Sequence, residues 1–476
     1  MDDLLLDDAV GIRGRLGVGD VSARELLEVH LRQIERLDPT LHAFVTVDAE
    51  AARDTADRID RAWVRGDDVG ELAGLPIGIK DIHPTRGLRT TYGSLLHQDD
   101  VPEVDALVVE RLRSAGGVII GKTNTPEFAA GSQTYNRIVG ATLNPYDHSR
   151  TCGGSSGGSA VAVATGMVAL ADGSDLGGSL RNPASFCNVV GFRPSPGRVP
   201  RWPSADAWDS LAVQGPIAHS VRDVALMMSV LAGPDPRSPI GLQDPGSMFL
   251  KPLKSDLAGA RVAVSVDLGG YPVDRDVREV VARAGEVMER EPGAVVEHAT
   301  PDLRDADAIF TTLRAARFAA SYAHLLDDER RQVLNDDVIW NIEEGLALDP
   351  LAVLRAERER TELYHRVRSF FEAYDYLLAP TSQVPPFPAN ERYPSSIEGH
   401  EMPTYISWMA TCYAITVTSL PAISVPGGFS PTGLPIGVQL VSGPRADFEL
   451  LGAAAAFEAA TSHGLRRPTE SGETLP

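Results

Sequence analysis

From Gly158 to Ala171 the chain reads GSAVAVATGMVALA, a run in which almost every side chain is small and apolar. Such residues suit an element packed closely on all sides, a helix over about 158–168 followed by the start of a strand. On either side stand two Gly/Ser-rich segments, CGGSSGGSA (152–160) and GSDLGGSLRNPASF (173–186). A helix over 158–168 rises on the order of 15 Å at about 1.5 Å per residue. A strand of four or five residues returns a similar length at roughly 3.3 Å each. The spacing therefore allows Ser155, at the helix start, and Ser179, after the strand, to lie side by side. Two adjacent glycines before Ser179 free the backbone to bring several N–H groups to one point, as an oxyanion site requires. Two Gly-rich turns with solvent-facing serines would fit the same spacing, and both readings stand at this level.

The rest of the chain sets the fold class. Strand-length apolar runs occur in LAGLPIGIKDI (72–82), GVIIG (117–121), ARVAVSVDL (260–268), AVVEHA (294–299) and YLLAPT (376–381). AISVPGGF (422–429) and PIGVQLVS (435–442) read as a hairpin of core strands. Helical stretches stand between them. SARELLEVHLRQIERL begins with Ser22 as the expected N-cap and Glu25 three residues on, and residues 303–375 are mostly helical in pattern. This alternation predicts one α/β domain over residues 1–476 with a mixed central sheet. The motif-rich core lies at about 70–200 and a helical insertion at about 270–375. Residues 235–260 are either a boundary or a long loop.

Composition excludes several functions. A formal charge of −21 is opposite to that of a nucleic-acid surface or a polybasic membrane contact. The opening MDDLLLDDAV is acidic where a signal peptide would be basic, and the apolar run near 160–171 is too short to span a bilayer. Cys152, Cys187 and Cys412 show no paired spacing and read as reduced thiols. No metal-ligand spacing appears. The expectation is a soluble cytoplasmic protein, monomeric or homodimeric, acting on a small molecule without metal or cofactor.

Two motifs mislead. GGVIIGKT (116–123) satisfies the phosphate-loop pattern letter for letter, but Val-Ile-Ile in its middle prefers a buried strand to a flexible cradle. CGGSSGGSA reads twice as G-x-S-x-G, centred on Ser155 and Ser156, yet NPYDHSRTC before it is polar and Pro-broken rather than a strand leading to a nucleophile elbow. Its triad would also need a histidine, and His298, His324, His365, His400 and His463 sit in no distinctive loop. The base is sought elsewhere. Only four lysines occur, and Lys80 stands among Ile77, Ile79 and Ile82. Burial disfavours an ammonium; moving a lysine from about 10.4 to near 7.5 takes on the order of 4 kcal/mol of desolvation. The competing reading is a charged lysine paired with Asp81.

Together GLPIGIKDI, CGGSSGGSA and GSDLGGSLRNPASFCNVVGFRPSPGRV closely resemble the amidase signature family of Ser-Ser-Lys hydrolases. GKTNTPEFAAGS, GATLNPYD, YLLAPT and SLPAISVPGGFSPTGLPIGVQLV resemble its flanking segments in the usual order, so the likeness covers nearly the whole chain. It implies a single amidase-signature α/β domain, its mixed twisted sheet covered by helices on both faces. It also implies Ser179 as nucleophile, Ser155 as bridging serine joined to its successor by a cis peptide, and Lys80 as base. Backbone N–H groups of Leu176, Gly177, Gly178 and Ser179 would form the oxyanion hole. Ser156 would support the network, and Asp175 and Arg181 would hold the loop by ion pairing. Two departures stand out: Ser174 where the family usually has Thr, and Asn182 where an aliphatic residue is common. Both are expected to bear on pocket shape more than on the reaction.

Candidate pocket walls are residues 129–136, 201–208, 381–387 and 405–413, offering Gly131, Gln133, Tyr135, Trp202, Gln383, Phe387, Trp408 and Met409 with few charges. They favour a neutral aryl or alkyl amide, with carbamate or ester carbonyls open to the same chemistry. The competing function on this fold is the glutaminase subunit of a tRNA-dependent amidotransferase.

Overall fold

A computed structural model describes residues 2–5, 7–254 and 256–469; the opening MDDLLLDDAV is therefore described except for Met1 and Leu6. Eleven strands form one sheet. In chain order they are β1 Phe44–Val47, β2 Pro76–Lys80, β3 Val118–Thr123, β4 Leu170–Asp175, β5 Val190–Arg193, β6 Val213–Ala218, β7 Arg261–Val264, β8 Val295–His298, β9 Tyr376–Pro380, β10 Ala422–Phe429 and β11 Pro435–Ser442. Their spatial order is β1-β3-β2-β4-β6-β5-β10-β11-β9-β7-β8. β3, β2 and β4 run parallel, as do β9, β7 and β8, while the strands between pair antiparallel. The sheet is mixed.

Both faces are covered, as the alternation of side chains demonstrates. Val262 and Val264 of β7 enter one core with Leu378 of β9, whereas Ala263, Leu377 and Ala379 enter the other. Residues of the helices Gly157–Ala164, Val221–Leu231, Arg275–Glu289 and Asp447–Thr461 fill the first core. Those of Ala306–Tyr322, Ala352–Phe370 and Ala410–Thr416 fill the second. The helix Ala23–Leu41 begins as expected: Ser22 accepts from Glu25 N and Glu25 answers with a bond from Ser22 N, a complete capping box.

Within 235–254 the chain forms a short 3-10 helix, Gly246–Leu250, and is tied back where Leu242 N donates to Gly197 O at 2.9 Å. The small-residue run after Gly157 folds as helix then strand, but the helix is shorter than expected. It runs Gly157–Ala164 rather than to 168, because Gly166 adopts φ +69° and turns the chain into β4. GGVIIGKT falls on β3, paired with β1 and β2, with Lys122 fully buried. Among the described residues no helix is long and apolar enough to cross a membrane.

Candidate active site

Lys80 is the last residue of β2, a strand buried at every position and flanked by β3 and β4. Its amine meets three hydroxyls: Ser155 Oγ at 2.7 Å, Ser156 Oγ at 2.9 Å and Ser174 Oγ at 3.0 Å. Burial lowers the amine from its ordinary 10.5 to about 7, against the opposing pull of Asp172 and Asp175. Asp81 turns the other way and accepts from Thr91 N and Oγ1, so the Lys80–Asp81 pair is not formed. Lys80 is therefore surrounded by neutral hydroxyls rather than matched to a carboxylate.

Ser155 and Ser156 immediately precede the helix Gly157–Ala164. The turn is pressed against neighbouring chain: a Cβ on Gly157 would collide with Thr134 Oγ1, and one on Gly158 would collide with Asn124 N. The cis peptide expected between Ser155 and Ser156 lies one bond earlier, between Gly154 and Ser155. The glycine is needed on that side, since a Cβ there would stand 2.7 Å from Thr134 Oγ1. Ser156 N donates to Ser179 O at 3.3 Å, which brings the two Gly/Ser segments together across β4.

The three serines differ in access. Ser155 and Ser156 are 1% and 0% exposed, whereas Ser179 is 8% exposed and lines a cavity of roughly 950 Å³ with Ser174, Leu176 and Gly177. Ser156 Oγ also bridges to Ser174, accepting from its N and donating to its O, each at 3.3 Å. Ser174 thus belongs to the lysine network as well as to the cavity lining, a part beyond the expectation that it bears on pocket shape more than on the reaction. Asn182 likewise ties loops together, accepting from Gly154 N at 3.2 Å and donating to Ser382 Oγ at 2.7 Å.

The loop after β4 is held from beneath by Asp175, which accepts from Gly178 N at 2.9 Å and Leu180 N at 3.2 Å. Asp175 also pairs with Arg181 at 3.0 Å and Arg193 at 3.2 Å, all three fully buried. The two guanidiniums keep its carboxyl well below the usual range despite burial. Gly178 N–H is thereby taken up by Asp175, whereas Leu176, Gly177 and Ser179 of the same loop line the cavity. Arg193, eighteen residues beyond Asp175, carried no recognisable signal in the sequence.

Of the proposed pocket residues, Gly131, Trp202 and Met409 line the cavity. Five do not. Gln133 and Tyr135 face a smaller recess beyond Gly131, with Gln133 bonded to Ala389 O and Tyr135 to Asn335. Trp408 borders that recess too, but stacks on Phe186 in the core, and Phe387 packs edge-on against both. Gln383 binds Pro272 O and Ala410 N within the interior. The walls come instead from Tyr92, Phe128, Phe310, Phe318 and Tyr322. The lining also holds Arg201, Arg314 and Arg317 with Asp206, Asp209 and Glu357, which corrects the expectation of few charges. These groups are already engaged: Arg201 and Arg317 pair with Asp209, Arg317 with Asp206, and Arg314 stacks on Phe318 and donates to the Tyr405 hydroxyl. His298, His324, His365, His400 and His463 are all absent from this lining, which includes His83.

Residues 25–451 match the family described as Amidase, and the chain belongs to it as an amidase-signature amidohydrolase. It is 37% identical over 480 residues to a subunit of the glutamyl-tRNA(Gln) amidotransferase of Synechococcus sp. (strain CC9902), covering 96% of each chain. It is 35% identical over 454 residues to an acylamidase of Rhodococcus erythropolis, covering 95% of each. Among solved structures, a bacterial aryl acylamidase superposes with a TM-score of 0.91 at 30% identity, covering 97% of this chain and 99% of the other. The corresponding glutamyl-tRNA(Gln) amidotransferase subunit of Thermotoga maritima gives a TM-score of 0.75 at 30% identity, covering 95% of each.

Proposed function

We propose that this protein hydrolyses the C–N bond of a neutral aryl or alkyl carboxamide through an acyl-enzyme on Ser179, with Ser155 and Lys80 moving the proton. One observation carries this reading: a buried lysine, freed of carboxylate partners and ringed by hydroxyls, in a site where Ser179 reaches an aromatic-walled cavity while Ser155 and Ser156 are buried behind it. A neutral amine has two N–H bonds and one lone pair. Ser156 and Ser174 take the two hydrogens, and Ser155, at 2.7 Å the nearest, gives its proton to the lone pair. Ser155 in turn accepts the proton of Ser179 as that oxygen attacks the carbonyl carbon. Leu176, Gly177 and Ser179 N–H groups stabilise the oxyanion, each donor being worth about 3 kcal/mol. The proton returns through Ser155 to the departing nitrogen, which cannot leave as an anion. Water then attacks the acyl carbon, gives its proton back along the same route and releases the acid.

Aromatic walls, with Arg201 and Arg317 matched to acids and Arg314 held by Phe318 and Tyr405, favour an uncharged substrate, and carbamates or esters present the same carbonyl. A second reading, glutaminase work for a tRNA-dependent amidotransferase, is favoured by the identity to the amidotransferase subunits. The higher structural similarity to the aryl acylamidase weighs the other way. Purified protein assayed on anilides, small aliphatic amides, aryl carbamates and glutamine tests the choice. Anilide or alkyl amide turnover, abolished in Ser179→Ala, is expected. Glutamine as sole substrate overturns it.

A further inference from the structure

Two buried carboxylates lie close enough to Lys80 to pull its amine toward the charged form, Asp172 more strongly than Asp175. Each has its oxygens occupied by other partners. Asp175 is clamped by Arg181 and Arg193. Asp172, fully buried in β4, accepts from the backbone N of Lys80 at 2.6 Å through one oxygen and from His83 Nδ1 through the other. His83 stands three residues past Lys80, and its ring forms part of the cavity wall. Its backbone oxygen accepts from Lys122 Nζ, which also donates to Thr85 Oγ1 at 2.8 Å. Lys122, the lysine of the false phosphate-loop motif, thus anchors the turn that carries His83.

A buried carboxylate left without donors turns to the nearest cation, and within about 4–6 Å it raises a lysine by one to three pH units. We propose that Asp172 and His83 are positioning residues for Lys80, His83 holding the carboxylate off the amine and Lys122 anchoring His83. The inference rests on the reading of Lys80 as the base. The charged groups packed around it are Asp172 and Asp175 from β4, with Arg181 and Arg193 beyond Asp175. Around Lys122 stand Asp81, Asp172, Asp105 and Arg113. Apart from Asp172 itself, none of these changes in the variants below, so the shift reads the Asp172–His83 contact.

The test is the pH dependence of Ser179 labelling by an alkyl fluorophosphonate: the serine oxygen bonds phosphorus and displaces fluoride, its proton passes to the base, and no knowledge of the substrate is needed. Labelling of the wild type is expected to rise through an acid limb near the Lys80 value of about 7. His83→Leu moves that limb up by about one to two pH units. Asp172→Asn moves it down, the double variant does not move it up, and His83→Gln, which retains an N–H donor, keeps it in place. Equal loss of rate at every pH in His83→Leu and Asp172→Asn, with the limb unmoved, overturns the proposal. Should His83→Leu fail to fold by circular dichroism, the direction of the Asp172→Asn limb decides alone. Lys80→Ala separates the two levels: wild-type labelling in that variant sinks the base itself. An unlabelled Lys80→Ala beside unmoved limbs sinks the positioning role alone.

Discussion

Replacing Lys80 by methionine keeps the unbranched chain as far as Cε, removes the amine, and should make an inactive protein whose stability relative to wild type depends on pH. Burial takes the amine from 10.5 to about 7, and each pH unit corresponds to about 1.36 kcal/mol. Folding the wild-type chain at neutral pH therefore costs about 4 kcal/mol at this residue. Below pH 7 the cost is present in full, since both states hold the proton. It shrinks as pH rises from 7 toward 10.5, because the unfolded chain then binds more protons than the folded one and stability grows with pH. Methionine escapes this cost but leaves Ser155, Ser156 and Ser174 without the amine, a loss of about 1 kcal/mol each. At pH 7 the variant is expected to match or slightly exceed wild type; by about pH 9.5 it falls behind, a swing of about 3 kcal/mol. Paired urea unfolding followed by circular dichroism at several pH values measures the difference, and every other titrating group cancels. A gap that stays constant with pH would mean the amine keeps its proton in the folded protein, and the proton route through Ser155 would lose its base.

Gly178→Ala places a side chain at φ +115° and 2.5 Å from Cys412 Cβ, so the loop after β4 must shift. A fall in kcat of about 100-fold with little change in KM is expected for a displaced oxyanion donor; unchanged kcat would remove this loop from the reaction. Asp175→Asn leaves the buried Arg181 and Arg193 without their carboxylate and is expected to destabilise by about 3–5 kcal/mol, read as a lowered urea midpoint. Phe318→Ala removes a cavity wall; kcat/KM for an anilide should drop several-fold more than for a small aliphatic amide, and equal losses would refute an aryl-binding role.

By itself the sequence determined most of the strands, though not Phe44–Val47, Val190–Arg193 or Val213–Ala218, together with the two Gly/Ser turns and the buried lysine upstream of them, since these depend on features a chain states locally. Alternating buried runs such as PIGIK read as strand wherever they stand, and a Gly pair reports a backbone that other residues would crowd. The lengths of helix and strand allowed Ser155 and Ser179 to lie side by side but fitted two solvent-facing turns equally well. The pocket was less legible. Phe387 and Trp408 are as apolar as Phe128 and Phe318, yet the first two pack edge-on against each other in the core and the latter two line the cavity. Composition cannot say which way a ring points. Only the tertiary structure placed the cis bond between Gly154 and Ser155, and only it set Thr134, from another segment, where a Cβ on Gly154 would stand. It also brought His83 to Asp172 and Arg193 to Asp175. Charges that neutralise one another inside a protein are chosen by where strands pack, and residues eighty-nine positions apart, as His83 and Asp172 are, leave no common pattern along the chain.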